Sequence, residues 1–350
     1  MLTHTRSRIL TAALAGCALL ALTAPTRALG QGLTVTGYAD FEAWVEGIGS
    51  DAKEFYFDNH HVNLILVGEI TGDLFTAAEI EYEHAGEEIA LEYGYFGYTG
   101  FRDIRIMAGK FIVPFGRFNK DLHPTPINKI PLRPLGFSAI LPQTYNDVGL
   151  WVTGAKAIND DARFVFDIFA VNGLLGADGD GIRGLRDNDR EKADFGRDND
   201  KAIGGRLGLE LPFQGFDIGA SLYTGKYAES EAGEDLRLTL LGVDGSYQTG
   251  GLVLRGELVR AAQDATPEAL TKTGGYVQAS YWLGSMVEPV VRYSARDMPG
   301  EDSDLGRIAL GLNFQISSAS LVRFAYAINS ETAGFETDNN GFVAQFNVIF

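Results

Sequence analysis

The side chains best suited to chemistry form small groups, and the first of these is a pair of histidines. His60 and His61 stand beside Asn63 in a segment that alternates like a β-strand. Neighbouring residues of a strand point to opposite faces, so one metal ion does not reach both imidazoles. We therefore interpret both as residues of a loop or of the rim of a strand, and the sequence predicts no metal site here.

Two acidic groups also invite a chemical interpretation. Glu79, Glu81 and Glu83 follow one another at a spacing of two, which aligns three carboxylates on one face of a strand. Such a row either forms a region that attracts cations or consists of ordinary polar residues that face water. The segment 174–200 is rich in aspartate, but its spacing differs from that of the twelve-residue calcium loop. We expect a solvated surface loop there, with the binding of a divalent cation as the alternative.

Catalysis needs a combination of residues that the sequence does not offer. A serine or aspartate nucleophile works with a histidine base, and beyond residue 30 the chain has four histidines. None of the four, which are His60, His61, His84 and His123, stands in a recognisable catalytic motif. We expect neither enzyme activity nor a cofactor.

The composition narrows the class of protein. The 350 residues include 46 acidic and 29 basic side chains, and this net charge of −17 argues against a nucleic-acid partner. The chain has 43 glycines and 11% aromatic residues, which favours many short strands and tight turns. No stretch of ~18 apolar residues follows residue 30, so the sequence predicts no transmembrane helix there.

Residues 1–30 have the pattern of a bacterial secretion signal. Arg6 and Arg8 precede an apolar stretch, and Ala28-Leu29-Gly30 resembles a small-residue cleavage site. Lipid attachment at Cys17 is the alternative, but the apolar stretch continues beyond that residue. Cleavage after Gly30 removes three arginines and the single cysteine. The remaining chain is then more acidic and has no thiol chemistry.

From residue 33 to residue 350, apolar and polar residues alternate in sixteen segments. This period is typical of strands with unlike faces, and most segments approach the ~9–11 residues of a tilted membrane strand. Along the chain, tight turns such as Thr71-Gly72-Asp73 alternate with longer polar connections such as 114–147. Outer-membrane barrels have this alternation of short turns and long loops. The sequence therefore predicts an all-β protein, a sixteen-stranded antiparallel transmembrane β-barrel over residues 31–350.

Charged residues fall on one face of these strands, while residues such as Phe346 and Val348 form the other face. A charge on the lipid side at mid-bilayer costs roughly 2–4 kcal/mol, so the charged face is predicted to line a lumen. So many charges require water, which favours a channel over a packed interior. The residues assigned to the lumen are Arg206, Arg255, Arg292, Arg307, Arg323, Glu79, Glu81 and Glu83.

Several motifs resemble those of porins of the phosphate-selective O/P type. The segment 109–116, Gly-Lys-Phe-Ile-Val-Pro-Phe-Gly, resembles their junction between a strand and the third loop, and the segments 205–208 and 288–293 are similar in position and kind. Phe350 resembles the terminal residue that barrels present to their assembly machinery. The resemblance implies a homotrimeric porin with an inward-folded third extracellular loop. No dense arginine ladder aligns with the phosphate-specific members, so the solute stays open.

The connection of about 114–147 is the segment expected to form the pore constriction. Six prolines stiffen it, and its four basic residues outnumber its two acidic residues. A unit charge a few ångströms from an ion is worth on the order of 1–4 kcal/mol, so these cations favour anions. Their pairing with Glu79, Glu81 or Glu83 is the alternative, which gives the crosswise field of a general porin. The four basic residues are Arg117, Lys120, Lys129 and Arg133.

These observations favour an outer-membrane porin, a water-filled channel for small hydrophilic solutes with a preference for anions or phosphate. A general or cation-preferring porin, a non-conducting structural or adhesive barrel, and an outer-membrane enzyme stay open as alternatives. The expected partners are two further copies of the chain, outer-membrane lipid and the barrel assembly machinery. No metal, cofactor or nucleic acid is expected.

Overall fold

The structure is a computed structural model that describes most of the chain beyond residue 31. The predicted signal, 1–30, and residues 175–200 of the aspartate-rich segment lie outside the described residues. The described ranges are 32–50, 53–138, 140–142, 144–174, 201–230, 232–265, 268–299, 305–331 and 338–350. Within these ranges, no helix is long and apolar enough to cross a membrane.

Sixteen antiparallel strands form one closed sheet. Each strand pairs with its neighbours in sequence, and the first strand pairs with the last, which closes the barrel. The predicted all-β fold and strand number are confirmed. The strands are β1 (Leu33–Ile48), β2 (Glu54–Glu69), β3 (Leu74–Glu83), β4 (Glu88–Phe101), β5 (Ile104–Ile112), β6 (Asn146–Ala157), β7 (Arg163–Val171), β8 (Ala202–Leu211), β9 (Phe216–Glu229), β10 (Asp235–Thr249), β11 (Leu252–Gln263), β12 (Leu270–Tyr281), β13 (Val287–Asp297), β14 (Leu305–Ser317), β15 (Ser320–Glu331) and β16 (Asn340–Ile349).

The two faces of the strands differ in burial as the alternation predicts. In β16, Phe346 is 45% exposed, whereas Gln345 and Asn347 are 1% exposed. In β14, Ile308 and Leu310 are similarly exposed. A closed barrel has one face of every strand outside, and the exposed face here is apolar, as contact with lipid requires. We call the opposite face of the strands the polar face.

The seam between β1 and β16 depends on a glycine. Gly37 and Phe350 exchange two backbone hydrogen bonds, each of 2.9 Å. A Cβ atom at residue 37 would lie 2.9 Å from the ring of Phe350 and would also collide with the backbone oxygen of Asn63. Only glycine therefore lets the two strands and the Phe350 ring come this close. The role of Phe350 as an assembly signal stays a prediction.

The connection between β5 and β6, residues 113–145, has an apolar core of its own. We call it the β5–β6 segment. It includes a π-helical turn, Phe118–Leu122, and a 3₁₀ turn, Leu135–Ser138. Phe118 and Phe137 both pack edge-on against Tyr276 of β12, and their own rings are tilted against each other. Buried apolar side chains thus attach this segment to the polar face of the barrel.

Backbone contact adds to this packing at the 3₁₀ turn. A Cβ atom on Gly136 would lie 2.8 Å from the carbonyl carbon of Gly274 in β12. A Cβ atom on Gly274 would likewise lie 2.7 Å from the Cα of Gly136. The two glycines thus let the segment and a strand of the barrel touch backbone to backbone.

Candidate functional site

A buried carboxylate holds the start of the β5–β6 segment. The Oε2 atom of Glu257, in β11, accepts hydrogen bonds from the backbone N–H groups of Arg117 (3.2 Å) and Phe118 (2.8 Å). The N–H of Gly116 donates to the Ser221 hydroxyl in β9 at 3.0 Å. Gly116 has a φ of +65°, and a side chain there would collide with Glu257. A sharp turn therefore docks on two strands of the barrel.

Arginines hold the middle of the same segment. Arg323, in β15, donates to the carbonyl oxygens of Thr125 and Pro126, and Arg292, in β13, donates to that of Leu132. These two arginines are only 2% and 1% exposed. Both were predicted to line the lumen, but their guanidinium groups bind backbone carbonyls rather than facing open water.

Three of the four predicted constriction cations form ion pairs with carboxylates on the polar face. Arg117 pairs with Asp217 of β9, Lys120 with Asp167 of β7 at 2.6 Å, and Lys129 with Glu288 of β13. None of these three pairs involves Glu79, Glu81 or Glu83, the partners that the sequence offered as the alternative. The segment lies against β7, β9 and β13 at these points, and its cations therefore pair with the nearest carboxylates.

Arg133 differs from the other three cations. Its Nη2 atom donates to the hydroxyl of Thr144 at 3.1 Å, within the same segment. Burial lowers its pKa, and the charges of Glu81, Glu92 and Glu83 oppose that shift. Of the four basic residues, Arg133 is thus the one whose pKa responds to the charges of Glu81 and Glu83 in the predicted row of carboxylates.

Carboxylates gather on the polar face of β1, β3 and β4, and we call this region the acidic wall. One amide, fully buried, connects two of its members: the two N–H groups on Nδ2 of Asn63 donate to Glu79 Oε1 at 2.7 Å and to Glu81 Oε2 at 2.6 Å, and the Tyr38 hydroxyl oxygen lies 2.8 Å from the same nitrogen. Buried carboxylates need such donors, because an unpaired charge is costly away from water. The members of the acidic wall are Asp40, Glu42, Glu79, Glu81, Glu83 and Glu92.

The two histidines lie on the same face, contrary to the sequence interpretation. Asp40 pairs with His61 and Glu42 pairs with Asp58, so two residues of β2 stand opposite the single residue Phe41. This β-bulge adds one residue to the alternation and turns His60 toward the side of His61. Their ring centroids are 3.8 Å apart. The expectation that they point to opposite faces was therefore wrong.

Arginines gather on the other side of the barrel, on the polar face of β11, β13, β14 and β15. We call this region the basic wall. Arg307 donates to Asn329 Oδ1 at 2.7 Å, and among the described residues Arg255 forms no ion pair. Both side chains are half-buried, so both reach water. The members of the basic wall are Arg255, Arg292, Arg307 and Arg323.

The fifth predicted arginine, Arg206 of β8, lies outside the basic wall and differs in its partner. Its Nε and Nη2 atoms donate to the two carboxylate oxygens of Asp244, in β10, at 2.8 and 2.6 Å. Such a two-point bond satisfies both charges at once. Arg206 therefore contributes little net charge to its surroundings.

A neutral histidine lies inside the β5–β6 segment. The Nδ1 atom of His123 donates to the carbonyl oxygen of Asn119 at 2.6 Å, which closes the π-helical turn. Burial lowers the pKa of His123 to about 3, and the nearby charge of Arg133 adds to this shift. Burial also lowers the pKa of Lys129, although its bond to Glu288 opposes the shift. At neutral pH, His123 therefore has no charge.

Sequence reasoning found the cations of this site and the polar side of Glu257 and Glu288, but not which residues hold the β5–β6 segment. Asp167, Asp217, Glu257 and Glu288 all fall on polar-face positions, which the alternation could identify. Nothing in the alternation indicated which of them meets the β5–β6 segment. That information lies in contacts between residues more than 40 positions apart.

Comparison with solved structures identifies the fold. The anion-selective porin from Comamonas acidovorans is 14% identical with a TM-score of 0.66, and the match covers 91% of this chain and 99% of that chain. The outer membrane channel DcaP of Acinetobacter baumannii is 9% identical with a TM-score of 0.65, covering 92% and 98%. The trimer form of OmpT, an outer membrane protein of Vibrio cholerae, is 11% identical with a TM-score of 0.60, covering 91% and 99%.

The chain has the fold of the outer-membrane porins. No protein-family model matches the sequence, and a comparison with curated proteins finds no relative. A closed barrel with an apolar outer face meets the demand that no backbone group be left unpaired in lipid. This porin fold places the chain in the bacterial outer membrane.

Proposed function

We propose that this protein is a porin that lets small hydrophilic solutes diffuse passively across the outer membrane. In this proposal the β5–β6 segment lies inside the barrel and narrows it. The observation that carries the proposal is the set of strands that the segment contacts. It bonds to polar-face side chains from β7 round to β15, including Asp167, Glu257 and Arg323. A segment outside the barrel has no access to that face.

The finer proposal is a weak preference for anions, phosphate included, and its source is the basic wall. The ion pairs of Arg117, Lys120 and Lys129 are locally neutral, so these residues contribute little field beyond their partners. Arg255 and Arg307 have no carboxylate partner among the described residues and reach water. Charges near a permeating ion count more than distant ones, which salt screens beyond ~8–10 Å. The acidic wall is buried and bridged by Asn63, which reduces its influence.

The proposed native state is a homotrimer, as the sequence resemblance implies. A trimer form is described for OmpT of Vibrio cholerae, which has a similar fold. Outer-membrane lipid covers the remaining apolar outer surface, and Phe350 is the proposed signal to the assembly machinery. Native mass measurement in mild detergent checks the trimer independently of the channel. A monomer alone would refute the trimer and leave the channel proposal standing.

Single-channel recording in planar bilayers tests the proposed function. The purified barrel is expected to insert in equal conductance steps, and a salt gradient is expected to give a reversal potential on the anion side. A barrel that folds and inserts but passes no current would instead support the structural or adhesive alternative. A clear cation preference would refute the finer proposal only. The proposal includes no catalytic activity.

A further inference from the structure

The bulge in β2 assembles a group of donor atoms that the function proposed above does not use. Asp40, His60 and His61 each present one ligand atom, and these atoms all lie within 4.8 Å of one another. Asp40 Oδ2 is 3.2 Å from His61 Nδ1, and Asp40 Oδ1 is 3.8 Å from His60 Nδ1. Two imidazoles and a carboxylate form a donor set that suits zinc and similar ions.

We propose that Asp40, His60 and His61 bind a divalent transition-metal ion of the Zn²⁺ type. Zinc bonds nitrogen and oxygen at roughly 2.0–2.2 Å, so tetrahedral ligand atoms stand about 3.4 Å apart. The three ligand atoms all lie within 4.8 Å of one another, and one oxygen of Asp40 is 3.2 Å from His61 Nδ1 while its other oxygen is 3.8 Å from His60 Nδ1. Small side-chain rotations are therefore enough to place the three atoms around one ion. This proposal is independent of whether the barrel conducts.

His61 also has the support that metal-binding histidines usually have. Its second nitrogen, Nε2, faces Glu83 Oε1 at 3.1 Å. A carboxylate on the far nitrogen fixes the orientation of the ring. The near nitrogen, which is hydrogen-bonded to Asp40 Oδ2, binds the metal by exchanging its proton for the ion. His61 itself is only 4% exposed, so its ring is held on every side.

His60 supplies a second, independent indication. Its Nδ1 atom is buried yet makes no hydrogen bond, while carboxylate oxygens of Asp40 and Glu42 lie at 3.8 and 3.4 Å. A buried polar atom without a partner is costly, and a metal ion would satisfy it. Glu42 is occupied by bonds from Trp44 and Gln345, which leaves the fourth position on the metal to water. The ring remains partly open to solvent, so an ion has a path to the site.

The experiment is a zinc titration of the folded full-length barrel in detergent, after removal of metal with a chelator. Calorimetry is expected to find one tight site per chain. His60→Gln is expected to weaken binding by more than tenfold, and Glu83→Gln by about tenfold to a hundredfold, as for the loss of a supporting carboxylate. Heat-dependent gel mobility establishes that each variant is folded.

The matched control is His84→Gln. His84 lies next to the group, with its ring 5.5 Å from that of His60, but its Nδ1 bonds to Asp58 at 2.8 Å. Binding by this variant is expected to equal that of the unaltered protein. X-ray absorption at the zinc edge is expected to report two imidazole nitrogens. The proposal is overturned if the unaltered barrel binds no zinc, if His60→Gln binds as tightly, or if the bound zinc has only oxygen ligands.

Discussion

The acidic wall and the basic wall of this barrel place charges on the polar face in opposite ways. The acidic wall packs its carboxylates together, and one buried amide, Asn63, donates to two of them. The basic wall spaces its arginines along four strands, and Arg292 and Arg323 donate to backbone carbonyls of the β5–β6 segment. Carboxylates on short side chains accept but do not donate, so they need an intermediary, whereas a guanidinium has five donors and a long reach.

The comparison teaches that formal charge is a poor guide to the field in a pore. The chain has a net charge of −17, yet most members of the acidic wall are buried and bonded. The half-buried Arg255 and Arg307 oppose that excess with charges in contact with water. Solutes respond to the charges they approach closely, not to the sum over the sequence.

The largest expected effect follows from removing the amide of the acidic wall. Asn63→Leu leaves Glu79 and Glu81 buried without their shared donor, and at about 1–3 kcal/mol for each carboxylate we expect the free energy of unfolding to fall by about 2–6 kcal/mol. Arg323→Leu in the basic wall leaves only neutral acceptors, so about 1–3 kcal/mol is expected there. Urea unfolding in lipid vesicles compares the two variants. Equal losses would contradict the proposed difference between the walls.

The pH dependence of His123 tests the packing of the β5–β6 segment. Its pKa is about 3 in the folded protein and ~6.5 when exposed, so the unfolded chain binds a proton first as the pH falls. Stability is therefore fully present above pH ~6.5 and is lost as the pH falls toward 3, by on the order of a few kcal/mol. Thermal unfolding across this range is the measurement. His123→Gln is expected to lack this part of the dependence, and an unchanged profile would refute the assignment.

A smaller effect is expected from releasing the β5–β6 segment at the basic side. Glu257→Ala leaves the N–H groups of Arg117 and Phe118 without an acceptor, and a loss of about 1–3 kcal/mol in the free energy of unfolding is expected. We expect the segment to detach in part and the single-channel conductance to rise and fluctuate. The control is Glu210→Ala, which removes a carboxylate that pairs with Arg163 and not with the segment. An equal rise in the control would refute the tether.

The smallest expected effect concerns selectivity. Replacing Arg255 and Arg307 together by Gln is expected to lower the ratio of anion to cation permeability by roughly threefold to fivefold. The double variant Lys120→Gln, Asp167→Asn removes a whole ion pair, so its reversal potential is expected to stay unchanged. If instead the Lys120, Asp167 variant changed the reversal potential more than the Arg255, Arg307 variant, the cations of the β5–β6 segment would determine selectivity, as the sequence alone predicted.

Sequence reasoning was most successful where one rule holds along a whole strand. Alternation places Phe346 outside and Gln345 on the polar face, and the same rule identifies all sixteen strands. It failed at His60, because a bulge adds one residue without changing the polar character of Asn59-His60-His61. It also found Lys129 and the polar side of Glu288 but not their pairing, since residues 159 apart meet only after the sheet has formed.

The seam at Gly37 and Phe350 has a kinetic consequence. Every other strand pairing of the described barrel joins neighbours in sequence, whereas the bond from Thr36 to Phe350 spans 314 residues. Bringing residues so far apart in sequence together costs more conformational entropy than forming a local hairpin. Hairpins are therefore expected to form early and the seam last. With the β5–β6 segment inside the barrel, as proposed above, the segment is enclosed as the sheet curls and before the seam forms. A bulky residue at position 37 should slow the final folding phase and leave hairpin formation at its normal rate.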